Sequence, residues 1–171
     1  MRHYLLLLCL LVSSCSENHT EHKVIGKKVT LNGLIDEYAV LEITVPEEFE
    51  YHHDDGVDFR VHRISSDSDQ YNIGVYIGMN PSLFIEEPYK QVPGKIGSHE
   101  TNWSFKHSED GYCAETIVDS FLYPKRDYKG IFKPNPSKIH VFVSAPTESE
   151  LHKLIAHCKT LNLIQPELPQ N

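Results

Sequence analysis

No apolar run in this 171-residue chain is long enough to cross a membrane as a helix. The longest, Tyr4 to Val12, is about half of the roughly 20 residues a span requires. Cys-x-x-Cys is missing, so zinc-ribbon and thioredoxin-type readings lack support. There is no Gly-x-Ser-x-Gly elbow for a nucleophilic serine and no glycine-rich phosphate loop. His99-Glu100 lacks the second histidine of a His-Glu-x-x-His zinc helix. Positive charge is in short supply, with 16 Lys and Arg against 24 Asp and Glu and a formal charge of −8. That balance disfavours nucleic acid and electrostatic docking on anionic lipid, and suits a basic protein partner. Internal repeats and low-complexity tracts are absent as well, so the length fits one domain with appendages.

The opening segment has a definite order. Arg2 and His3 precede the apolar run, and Ser13-Ser14-Cys15 and polar Ser16-Glu17-Asn18 follow it. This is the layout of an export signal: a charged start, a short apolar stretch and a small-residue cleavage region. Val12-Ser13-Ser14-Cys15 resembles the lipobox of bacterial lipoproteins. The resemblance implies cleavage before Cys15 and diacylglyceryl and N-acyl chains on that residue, with no other cofactor. Several chains, at about 0.8 kcal/mol per buried methylene, hold far more firmly than one. It also implies a bacterial envelope location facing the periplasm, with Ser16 favouring the outer over the inner membrane. Residues 1–14 are then the signal, 15–24 a lipidated cysteine with a polar tether, 25–164 the domain and 165–171 a tail.

Four cysteines are present. Removing Cys9 with the signal and Cys15 to lipid leaves Cys113 and Cys158. In an oxidising compartment they are a candidate disulfide, worth ~4 kcal/mol on the chain-entropy model. They are equally well two separate small buried residues. Cys158 falls on the apolar face of a predicted helix and Cys113 on the less apolar side of a predicted strand.

Strand signals dominate the middle of the chain. "EYAVLEITVP" closes at Pro46. "GVDFRVHRIS" places Val57, Phe59 and Val61 on one face and Asp58, Arg60 and His62 on the other. "YNIGVYIGM" alternates Ile73, Val75, Ile77 and Met79 with Gly74 and Gly78, which invite close approach. "TNWSFKH" and "YCAETIVDS" flank the turn "SEDG", and "KIHVFVSA" reads as a late strand. "NPSLFIEEPYK" suggests a short helical turn. Thr147 with Glu150 forms a capping box, and Leu151, Leu154, Ile155, Cys158 and Leu161 make an amphipathic stripe. The expected class is α+β: an antiparallel sheet of about six strands with a C-terminal helix packed on it. The element order, with "ITVPEEF" and "NWSF", is similar to the PsbP and Mog1 families, a resemblance that brings no functional residue with it.

Two stretches are candidates for chemistry or contact. His52, His53, Asp54 and Asp55 are acceptable zinc ligands by type, but neighbouring strand residues point opposite ways, and Asp54-Asp55-Gly56 also makes a turn. "YPKRDYKGIFKPNP" reads as a long basic, aromatic, proline-bearing loop in an acidic protein, with Tyr123, Lys125, Arg126, Tyr128, Lys129 and Phe132 as candidate partner contacts. Glu109, Asp110 and Glu115 fit turn and strand-surface roles. The expected function is a lipid-anchored, non-catalytic binding protein, such as an immunity-type inhibitor of a periplasm-acting toxin or an accessory or assembly lipoprotein. The competing class is a metal-binding protein or hydrolase built on the His and Asp clusters.

Overall fold

A computed structural model describes residues 24–32, 41–57, 59–126 and 132–163, with the backbone alone for 119–126 and 132–137. The expected signal, Cys15, the tether and the tail lie outside these residues. The chain runs β1 (Lys27–Leu31), β2 (Leu41–Val45), β3 (Glu50–Asp55), β4 (Phe59–Ser65), β5 (Asn72–Gly78), β6 (Lys90–Ile96), β7 (His99–Ser108), β8 (Gly111–Arg126), β9 (Phe132–Ala145), α1 (Glu148–Cys158) and β10 (Asn162–Leu163). Seven strands form one sheet in the order β3-β4-β5-β9-β8-β7-β6, and β1-β2-β10 form a second. Every registered pair is antiparallel. An α+β class is compatible with this, but the expectation of about six strands undercounts the sheet.

Alternation explains the core. Ile73, Val75 and Ile77 of β5 lie opposite Val143, Val141 and Ile139 of β9, and all are buried. Ala114, Thr116 and Val118 of β8 continue the same face, as do Trp103 and Phe105 of β7. Helix α1 covers that face with Leu151, Leu154, Ile155 and Cys158. It also packs on β2, whose Leu41, Ile43 and Val45 complete the core. Thr44 ties the small sheet to the helix end: its N–H donates to Thr160 Oγ1 at 2.8 Å, and its carbonyl lies 2.9 Å from His157 Nδ1. His157 is therefore engaged with β2 and is only half-exposed.

The helix begins as its sequence requires. Thr147 accepts from the Glu150 N–H and donates to the Glu150 carboxylate at 2.7 Å. That satisfies one of the amide donors left over at a helix start. The turn after β7 uses Gly111 at φ 125°, a conformation that disfavours a side chain.

The "YPKRDYKGIFKPNP" insertion is not an open loop. Phe121 to Arg126 pair with Ser137 to Phe132, beyond the last β9 residue registered to β5, Lys138. The two longest strands thus continue as a two-stranded ribbon. Tyr123, Lys125, Arg126 and Phe132 occupy register positions on it, while Tyr128 and Lys129 lie outside the described residues. "NPSLFIEEPYK" forms no helical turn and crosses the sheet as an irregular strap. Its two prolines, Pro81 and Pro88, each lack an amide donor and resist a helix interior.

Candidate functional site

The seven-stranded sheet has two unlike faces. One is buried under α1 and the small sheet. The strap between β5 and β6 crosses the other, and what holds it there is a carboxylate. Glu115, 1% exposed, accepts from Phe84 N–H at 2.9 Å and Ile85 N–H at 2.6 Å. His140, also 1% exposed, lies with Nε2 2.8 Å from the same carboxylate. Burial holds the His140 pKa down, against the opposing pull of Glu115. The imidazole is therefore neutral near pH 7. A carboxylate only accepts, so the ring hydrogen sits on Nε2. Three N–H donors converge on one buried anion, an arrangement that offsets its desolvation.

The strap's ring contacts follow from this clamp. Phe84 sits 5.1 Å from His140 and 5.1 Å edge-on from Phe142. Phe142 in turn lies flat over Gly74, where a β-carbon would collide with its ring. The close approach foreseen at Gly74 is thus made by an aromatic side chain. Phe59 and Tyr76 stack 5.3 Å apart further along the same face. Met79, Leu83, Phe84 and Tyr89 are all about half exposed or more. They make up four of the six large apolar residues exposed among the described residues, the others being Ile25 and Val57. All four come from the stretch between β5 and β6 that forms the strap and its ends.

A second polar group sits on the covered face, at the β3–β4 edge. The alternation expected for "GVDFRVHRIS" holds there, and it is the polar set that faces the core. Arg60 (5% exposed) and His62 (0%) point inward, while Phe59 and Val61 point to the open face. Ile64 explains the choice, because it shares parity with Arg60 and His62 and lies opposite Ile73 in the core. Arg60 is satisfied by a bidentate pair with Asp55, its Nη2 2.8 Å from Oδ2, and by the Asn32 carbonyl. That guanidinium holds the Asp55 pKa down. His62 Nδ1 lies 2.9 Å from the Tyr51 hydroxyl, and Tyr51, His53 and His62 form a ring cluster. Desolvation, followed by the charges of Arg60 and His53, pushes the His62 pKa down to about 4.

The histidine–aspartate run is strand, not hairpin tip, and it divides between the faces. His53 and Asp55 share the face of Tyr51, opposite His62 and Arg60, while His52 and Asp54 point the other way. Asp54 pairs with Arg63 at 2.8 Å, and His52 lies 3.5 Å from Glu50. Among the described residues no three His, Cys, Asp or Glu side chains come together as a metal site. The Cys113–Cys158 bridge is absent, and both thiols are free. Cys113 sits on the open face beside Lys106, while Cys158 is buried under the helix on the other side of the sheet. Glu115 is no strand-surface residue, and neither it nor His140 stood out as a site. The only signal was weak: Glu115 shares parity with Cys113, and His140 interrupts an otherwise apolar strand.

No family model matches this chain, and comparison with curated proteins and with solved structures finds no match either.

Proposed function

We propose that this is a lipid-anchored, non-catalytic protein-binding module of a bacterial envelope, with the strap across the open sheet face as its contact surface. The observation that carries the reading is the strap itself. Met79, Leu83, Phe84 and Tyr89 are held out to solvent by a segment whose backbone is pinned to a buried carboxylate. A fixed apolar surface loses little conformational freedom when it binds, so more of its contact energy appears as affinity. Aromatic anchors with a polar rim are the usual centre of a protein interface. The formal charge of −8 favours a basic partner. The anchor at Cys15 is part of the proposal, as is the narrower form of it: an immunity-type inhibitor that occupies a periplasm-acting toxin. The ribbon carrying Tyr123, Lys125, Arg126 and Phe132 is proposed as a secondary contact.

The test is site-specific photo-cross-linking from position 83 in intact cells. The expected result is one discrete protein adduct, lost when Phe84→Asp is introduced beside the probe. Adducts to lipid alone, or a protein adduct indifferent to Phe84→Asp, would overturn the reading.

A further inference from the structure

Past Phe84 and Ile85 the strap runs on to a second feature of different chemistry. A cleft of about 520 Å³ lies where the end of the strap, β7, β8 and the start of α1 meet, lined by Glu87, Tyr89, Lys106, His107, Tyr112 and Glu148. Its volume falls in the range of ligand sites. The lining comes from four separate stretches of chain, so it is assembled by the fold and is not a local run of charge. His107 and Tyr112 stack at 4.3 Å between centroids, which fixes one aromatic wall. Tyr89 supplies a further ring, and desolvation and the nearby Glu148 carboxylate raise its pKa, so its hydroxyl stays protonated. Glu87 makes no ion pair among the described residues. Glu148 touches Lys90 at 3.9 Å and His152 at 3.8 Å, both through Oε1.

The geometry points to a site for a partner's arginine side chain, stacked on the tyrosine rings between the carboxylates of Glu87 and Glu148. A guanidinium is planar, stacks on aromatic faces and takes carboxylates on its edges, whereas an ammonium uses only the charge. The chain already places one cation in this setting, since Lys90 Nζ lies 5.6 Å over the Phe105 ring and beside Glu148. Lys106 is the opposing feature. It leaves the lining with two carboxylates and one ammonium, and so selects an arginine within a peptide, whose own carbonyl can accept from Lys106, over a bare cation. The assignment rests on the protein-binding reading above and names the chemistry of the group received.

The experiment titrates the folded domain with blocked glycine pentapeptides centred on arginine, lysine or citrulline, following the ring signals of His107 and Tyr112 by NMR. The arginine peptide is expected to shift both rings saturably, and citrulline, which keeps the shape and loses the charge, at least tenfold more weakly. Lysine should fall between them. Glu87→Gln/Glu148→Gln, checked for folding by circular dichroism, should weaken arginine binding at least tenfold, and Tyr89→Leu should do so several-fold. Equal binding of citrulline, an unaffected double variant, or no saturable shift up to about 10 mM would overturn the assignment. The two proposals fail separately. If the Phe84-dependent adduct forms while the arginine peptide is ignored, the cleft assignment falls alone. If the peptide binds as expected and no protein adduct depends on Phe84, the strap reading falls and the cleft stands.

Discussion

His62 converts burial into a pH dependence. Its folded pKa of about 4 lies below the ordinary 6.5, so the unfolded chain takes up a proton that the folded protein refuses. The stability tied to its neutrality is complete above pH 6.5 and is lost as pH falls towards 4. A gap of that size corresponds to about 3 kcal/mol. Asp55 acts lower on the scale: its pKa is held below 3.8, so its contribution is present above that value and fades only in stronger acid. The urea midpoint should therefore drop between about pH 7 and pH 4.5, and His62→Phe should flatten that slope whatever it does to absolute stability. A wild-type midpoint constant over this interval would rule out the buried neutral imidazole. The two thiols separate in the same spirit. Burial raises the pKa of both, but Cys158 is wholly enclosed and Cys113 only half-buried. Alkylation of the native, non-reduced protein should mark the Cys113 peptide slowly and the Cys158 peptide only after denaturant is added.

Among the elements, the strap and the helix start owe most to single side chains. Glu115→Gln keeps the shape but puts an amide N–H where two backbone N–H groups already point. We expect a loss of about 2–4 kcal/mol, with faster hydrogen exchange at Phe84 and Ile85 than elsewhere in the sheet. Thr147→Ala removes the helix cap and should cost about 1 kcal/mol, measured by the same urea titration. These elements differ in how far their sequence announces them. The helix was legible because cap, box and stripe agree over Thr147 to Leu161. So were β5 and the core half of β9, where apolar residues alternate. Four strands were not. In β3, "EYHHDD" is an edge whose charges discourage further pairing, and that protection hides the strand. In β6, "KQVPGKI" carries Pro93 and Gly94, which an edge tolerates and a propensity reading rejects. β1 and β10 are too short to show a period. In β4 the period was plain but its direction was not. Arg60 and His62 follow Ile64 inward, and Asp55, Asn32 and Tyr51, which lie outside β4, satisfy them there, partners that the strand's own sequence does not reveal.

For the molecule as a whole, the strap surface was not legible in the sequence, which offered only a charge balance and the proposed attachment at Cys15. The strap surface depends on Glu115 meeting Phe84 and Ile85 across 30 residues of sequence, a pairing that only the assembled sheet creates. The proposed attachment at Cys15 can be checked directly. Cys15→Ser should abolish incorporation of labelled palmitate and move the protein from the membrane to the soluble fraction. Retention of both label and membrane association would refute the lipid anchor. Charge adds a further check: cross-linking to a basic partner should weaken as salt shortens the Debye length to about 8 Å and below.

The bond between Thr44 and the far end of α1 also orders events in time. Strand β2 is made early in synthesis, yet Leu41, Ile43 and Val45 are buried against α1, and β10 supplies one of its two neighbours. Thr160, which accepts from the Thr44 N–H, lies 116 positions later. A chain emerging from its amino end therefore carries an unfinished apolar strand until Thr160 to Leu163 have been made. Contacts this distant in sequence slow folding. The domain should thus be intolerant of truncation into Thr160 to Leu163, since β10 and the Thr160 contact close what the first strands open.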